Sequence, residues 1–250
     1  MAIINFYKPI GWTPLECIAE IRKMHPDLQD SAITYAGRLD PMAEGVIIFL
    51  SDNDRYQKEA FQKLDKTYEA TFLFGISSDT HDGLGIITPG FIPTESAVTE
   101  AFLNITGTHI LPFPSYSSFK VQGKPLHWWV SQNRLNEIEI PQKEMTVTTH
   151  DLKSVSQFPL STIRNEVLER ISLVNGNFRQ KECQQSWNQL PSELDYLLGV
   201  SATLTVRSGT YIRSIAQMVG TQLGCGALLY KLRRTRVGDF MDSESQHHIS

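Results

Sequence analysis

The sequence has little of what marks several large protein classes. It holds 3 cysteines in 250 residues, Cys17, Cys183 and Cys225, far apart and with no CxxC pair. That spacing excludes a disulfide framework, argues against a zinc site and predicts three reduced thiols, as in a cytosol. No apolar run approaches the roughly 18 residues a membrane helix needs. The longest, Val46 to Leu50, has the length of a strand. The N-terminus MAIINFYKP carries no basic segment followed by an apolar stretch, so no signal peptide is read there. A cytoplasmic protein without a membrane association is expected. The P-loop signature, the GxGxxG fingerprint and the GxSxG nucleophile elbow are all missing. Repeats, low-complexity segments and Pro/Gly/Ser-rich linkers are missing too. One continuous domain over residues 1–240 is therefore expected, followed by a flexible polar tail, 241–250.

Basic charge is not in excess either. Against 23 Lys and Arg stand 27 Asp and Glu, a net charge of -4. A nucleic-acid partner cannot be argued from that balance and would need a local basic face. Hydrophobic residues make up 41% of the chain and charged residues 20%, enough for a buried core. The adjacent pair His247-His248 reads as part of the solvated tail, not as a metal site, because chain neighbours point differently.

Strands and helices alternate without a regular βαβ beat, which predicts an α+β fold. Ala2 to Phe6 and Val46 to Leu50 read as strands, and the stretch from Ser31 to Pro41 between them as loop. Thr13-Pro14-Leu15-Glu16 is a capping box with proline at the first helical position. The helix it opens stops at His25-Pro26. A polar helix is expected over 52–64. From Tyr68 to Phe74 apolar and other residues alternate, as on a half-buried strand. Helices are expected over 94–103, 125–135, 164–171 and 179–190. Strands are expected over 145–155 and 201–206. The last helix is expected over 209–223, with Gly224 as its stop.

Three segments carry chemistry. In Gly37-Arg38-Leu39-Asp40-Pro41-Met42-Ala43-Glu44-Gly45 a carboxylate sits between two glycines just before an apolar strand. Taken alone, Asp-Pro is more often a turn than a catalytic group. In Ser208-Gly209-Thr210-Tyr211-Ile212-Arg213 an arginine lies in a helix's first turn, against the helix dipole. A carboxylate partner would offset that cost; an exposed surface arginine is the plain alternative. From Arg207 to Asp239 there are six basic residues and one acid. This is either a phosphate-binding face or an ordinary solvated one.

These segments belong to a larger pattern. Phe6-Tyr7-Lys8-Pro9-x-Gly11-Trp12-Thr13 comes first, then GRLDPMAEGV and Lys66-Thr67-Tyr68-Glu69-Ala70. Gly75-x-x-Ser78-Asp79-Thr80-x-Asp82 and Pro114-x-x-Ser117-x-x-Lys120-x-x-Gly123-x-x-Leu126 follow. SGTYIRSIA and LGCGALLYKLRRTRVGDF close the series. In this order, from residue 6 to 240, the chain resembles the TruB family of RNA pseudouridine synthases.

The resemblance implies an α+β catalytic fold with a long mixed, mainly antiparallel sheet flanked by helices. It implies isomerisation of uridine to pseudouridine in RNA, at the T-loop uridine (position 55) of tRNA. Asp40 matches the catalytic aspartate, acting as nucleophile or as base. Tyr68 matches the tyrosine that stacks on the target base and is placed to serve proton transfer. Taken alone, Tyr68 reads as a core aromatic. Arg213 matches the arginine that pairs with the catalytic carboxylate and keeps it ionised and oriented. Leu229 or Leu232 would close an apolar pocket wall. Tyr35, Arg38, Lys120, Lys231, Arg233, Arg234 and Arg236 are the candidate RNA contacts, for the tRNA T stem-loop. No cofactor and no metal are implied, because the reaction is redox-neutral, and no obligate protein partner is implied.

The chain departs from the family pattern in five places. Tyr35 stands where many members carry a histidine that wedges into the RNA loop. Leu84 stands where a further Asp is frequent, and His127 where a Tyr is usual. The stretch from Gly176 to Leu190 is longer than the compact pattern. Many members continue into a C-terminal PUA domain; here about ten polar residues follow Phe240, so a short form is expected. Two further readings compete. A catalytically inactive RNA-binding or RNA-folding protein on the same scaffold would have no chemical need for Asp40, Tyr68 and Arg213 together. A small-molecule hydrolase using Asp40 as nucleophile has no supporting motif.

Overall fold

The computed structural model describes residues 2–191 and 194–247. β1 (Ile3–Lys8) leads into α1 (Pro14–Met24). Thr13 Oγ1 accepts from Glu16 N, and the Glu16 carboxylate accepts from Thr13 N, so the capping box forms as the sequence predicts. β2 (Ile33–Ala36) and β3 (Glu44–Ser51) follow, then α2 (Lys58–Lys63) and β4 (Lys66–Phe74). β5 (Ile76–Ser78) pairs with β6 (Ile87–Pro89) across the loop that holds Asp82. α3 (Glu95–Leu103) and β7 (Gly107–Pro112) lead to an arm with β8 (Lys120–Val121), β9 (Lys124–Pro125) and α4 (Leu126–Ser131). β10 (Gln142–Pro159) runs into α5 (Leu160–Ser172) and α6 (Gln180–Asn188). β11 (Tyr196–Val206), α7 (Ile212–Leu223), β12 (Ala227–Val237) and β13 (Phe240–Met241) complete the chain.

Among the described residues the main sheet has nine strands, in the order β1-β3-β12-β4-β11-β10-β7, with β2 on β3 and β13 on β12. All pairs are antiparallel except β12 with β3, where Arg233 faces Glu44 and Arg234 faces Gly45. The long mixed sheet of the expected α+β fold is therefore present.

The period-2 pattern of β4 explains how the sheet is covered. Tyr68, Ala70, Phe72 and Phe74 enter a core with α1, α3 and α7, while Leu73 enters a second core with α5 and α6. Each face thus has its own helices, and the site lies where loops from both sides meet.

Three departures from the sequence reading concern β2, the 52–64 segment and the polar tail. Residues 33–36, read as loop, form β2, because Ile33 to Ala36 complete the hydrogen bonding of β3. The 52–64 segment is a 3-10 turn, Asp52–Gln57, before the short α2. The polar tail, read as flexible from residue 241, docks over residues 240–247. Tyr7 N donates to Gln246 O, Gln246 N donates to Asn5 O, and His247 stacks on Phe6 at 5.2 Å. β1 is an edge strand, and covering its unpaired backbone groups gives these polar residues a place. Residues 248–250 lie outside the described residues.

Candidate active site

Asp40 lies in the turn between β2 and β3, where Ala43 N donates to Asp40 O. The two glycines that bracket the turn both take positive φ, +79° at Gly37 and +108° at Gly45. A Cβ on Gly45 would come 2.3 Å from Arg234 O, so only glycine lets β3 approach β12 there.

Three buried cations hold the carbonyls of this turn. Lys8 Nζ donates to Ala43 O at 2.6 Å and to Pro9 O at 2.9 Å. Arg234 donates to Val46 O at 2.6 Å, Gly37 O at 2.9 Å and Arg38 O at 3.3 Å. Arg170 Nη2 donates to Met42 O at 2.9 Å. Burial pushes the Lys8 ammonium down to about 8.

Arg213 is the second residue of α7 and points at this turn. Its Nε donates to Asp40 Oδ2 at 2.8 Å, its Nη2 to Asp40 Oδ1 at 3.0 Å and its Nη1 to Thr80 O at 2.8 Å. Asp82 stands behind, with Oδ2 3.8 Å from Arg213 Nε. Two carboxylates thus offset the unfavourable place of a cation at a helix N-terminus. Burial opposes the charge of Arg213, yet Asp40 and Asp82 outweigh it and hold its pKa above the ordinary arginine value. Asp82 is fixed by Thr80 Oγ1 and Leu84 N at Oδ1, and burial raises its pKa.

The pair is asymmetric. The Arg213 side chain is 4% exposed and that of Asp40 35%, so the carboxylate is open to a ligand while its partner is not. A narrow cavity beside Asp40 is lined by Met42, Ala43, Asp82, Leu229, Tyr230 and Leu232. Tyr68 is 6% exposed and belongs to the same apolar cluster as Leu39, Ala43 and Leu232.

The candidate RNA contacts do not form one stripe. Tyr35 on β2 lies between two cations, Arg38 at 5.8 Å and Lys58 at 5.6 Å from its ring, and Arg38 Nε also donates to its hydroxyl. Lys120 is exposed on the arm. Lys231, Arg233 and Arg236 are 46%, 41% and 52% exposed but stand beside acids. Lys231 meets Glu166 at 2.6 Å, Arg233 meets Asp242 at 2.9 Å and Arg236 meets Asp239 at 3.6 Å. Arg234 corrects the sequence reading outright. It is 1% exposed, all three of its nitrogens donate to backbone carbonyls, and it is no surface phosphate ligand. The basic run is a strand, so its side chains alternate between solvent and interior.

Residues 26–171 match the model of the TruB family pseudouridylate synthase, N-terminal domain. The chain belongs to the TruB family. A curated tRNA pseudouridine synthase B from Thermobifida fusca is 31% identical over 93% of this chain and 68% of that protein. The one from Clostridium acetobutylicum is 27% identical over 97% of this chain and 69% of that protein. Among solved structures, a Cbf5-Nop10-Gar1 complex matches with a TM-score of 0.58 at 21% identity. It covers 96% of this chain, which spans about half of that longer chain, 50%. That likeness shows the fold.

Within this TruB-family site, sequence reasoning assigns no role to Asp82, Lys8, Arg170 or Lys58. Asp82 and Lys8 stand inside family motifs, which are the available signal. Arg170 has none, because nothing local to it names carbonyls 128 and 60 residues away.

Proposed function

We propose that the protein isomerises uridine to pseudouridine in tRNA, at a T-loop uridine, with Asp40 as the reacting carboxylate. The observation that carries this reading is the side-on, two-bond pair of Arg213 with Asp40 at the mouth of an apolar cavity. A carboxylate held this way is aimed while leaving a face open to a base.

A uridine inside a stem-loop must leave the stack to reach such a recessed group, and Tyr68 supplies a ring for the flipped base. Asp40 then attacks the nucleotide or removes a sugar proton, and the bond from C1′ to N1 breaks. The freed base rotates and C5 bonds to C1′, with Asp40 released from the sugar or the sugar proton returned from it; C5 then loses its proton while N1 gains one. The product is an isomer, so no oxidant or group donor enters. Arg213 holds the Asp40 carboxylate by two hydrogen bonds, and Asp82 keeps Arg213 in place. Tyr35 with Arg38 and Lys58, together with Lys120 on the arm, forms the positive and aromatic surface for the RNA. A tRNA substrate implies work in the cytoplasm. Among the described residues no helix is long and apolar enough to cross a membrane.

The deciding assay incubates the protein with unmodified tRNA and, separately, with free nucleosides. Pseudouridine in the tRNA supports this reading. Binding without product would favour an RNA-folding protein, and cleaved nucleoside a hydrolase.

A further inference from the structure

The hairpin of α5 and α6 supplies none of the reacting groups, yet it reaches the site from behind. Arg170 is 8% exposed. Its Nη2 donates to Met42 O, two residues after Asp40, and its Nη1 donates to Tyr230 O, both at 2.9 Å. Tyr230 is the extra residue of a β-bulge. Leu229 pairs with Phe72 and Lys231 with Thr71, which leaves Tyr230 without a partner on β4. A carbonyl turned out of a ladder in the interior needs a donor, and Arg170 is that donor. Met42 and Tyr230 are also walls of the cavity beside Asp40.

From α6, the fully buried Trp187 donates Nε1 to Gly83 O at 2.9 Å, next to Asp82. The hairpin also limits the room around that loop. A Cβ on Gly83 would sit 3.4 Å from Met42 Cε and 3.6 Å from Val167. The two turns that carry Asp40 and Asp82 are therefore tied to one hairpin by donors of fixed geometry. A buried arginine adds little stability that an apolar side chain could not supply. Its forked donors do supply a fixed distance between two carbonyls.

We propose that the α5–α6 hairpin is a positioning element of the site. Arg170 and Trp187 set the separation of the Asp40 and Asp82 turns, and with it the Asp40–Arg213 geometry and the width of the base pocket. Neither residue touches the substrate. The inference rests on Asp40 being the reacting carboxylate.

Two substitutions test it. Trp187→Phe keeps an aromatic ring and removes the N–H. Arg170→Lys keeps the charge and loses the fork. Each variant is compared with the wild type by single-turnover pseudouridine formation at saturating tRNA, by tRNA Kd, and by amide hydrogen exchange. Misplacement by about an ångström can cost roughly a hundredfold in rate. The expected result is a single-turnover rate down about ten- to a hundredfold, Kd within about twofold, and faster exchange confined to residues 39–46 and 80–86. Should Arg170→Lys fail to fold, Trp187→Phe carries the test alone. An unchanged single-turnover rate with unchanged exchange in the two turns would overturn the proposal and leave the hairpin a stability element. If the wild type makes no pseudouridine while the two turns still loosen in the variants, the reaction assignment fails and the positioning role stands.

Discussion

Arginine serves the interior of this molecule and its outer face in opposite ways, and β12 shows both uses in consecutive residues. Arg233 is 41% exposed and faces Asp242 and Glu69. Arg234, its neighbour, is 1% exposed and binds carbonyls around the Asp40 turn. Together with Lys8, Arg170 and Arg213 it forms an inner set of cations that shapes the site. The outer set, with Arg38, Lys58 and Lys120, faces solvent and is available to phosphate. Charge summed along the sequence sees one basic run; the fold divides it by the side-chain period of a strand. An RNA-binding surface and a catalytic framework can thus be cut from the same stretch of chain.

Removing the inner set's anion should have the largest effect. Asp40→Asn keeps size and some hydrogen bonds but cannot act as nucleophile or base. It is expected to fold, to bind tRNA and to lose pseudouridine formation by about four orders of magnitude or more. A mere turn residue would tolerate this change, since asparagine suits turns. Arg213→Lys keeps a charge and loses the bidentate fork. Its single-turnover rate should fall about a hundredfold with tRNA affinity retained.

The β12 neighbours sharpen the comparison next. Arg234→Met leaves the carbonyls of residues 37, 38 and 46 without this donor. Urea unfolding should show a decrease of about 3 kcal/mol, with the salt dependence of tRNA binding unchanged. Arg233→Ala and Lys120→Ala should do the reverse. Stability holds, and the slope of log K against log salt becomes shallower by roughly 0.7 to 0.9 for each phosphate that the protein no longer neutralises. Equal behaviour of Arg233 and Arg234 in both assays would erase the distinction between the two sets.

The remaining prediction concerns His81, which sits at φ +63° in the Asp82 loop. Burial, with Arg213 adding to it, pushes its imidazole down from 6.5 to about 4. Between those values the unfolded chain holds a proton that the folded chain does not. Stability present above pH 6.5 is therefore lost as pH falls toward 4. His81→Asn, which accepts the left-handed backbone, should flatten that part of the stability–pH curve. An unaltered curve would show that His81 titrates normally.

Local signals are legible wherever the cause is local. The capping box of α1, the Gly224 stop of α7 and the alternation of β4 depend on residues a few positions apart. The Asp40–Arg213 pair spans 173 residues and follows from the family resemblance together with the odd placement of an arginine at a helix start. What stays hidden is long-range and polar. Arg234 looks like a phosphate ligand in the sequence because its carbonyl partners come from another strand's turn. Lys231 and Arg233 look unopposed because Glu166, Glu69 and Asp242 lie elsewhere in the chain. The docking of residues 240–247 on β1 escapes for the same reason, since composition there is polar and the partner is backbone.

The most direct test of the account is a map of pseudouridine at every uridine of an unmodified tRNA after single-turnover incubation with the wild-type protein. The account predicts one modified position, in the T loop. Modification only outside that loop, or bound tRNA left entirely unmodified, would contradict it.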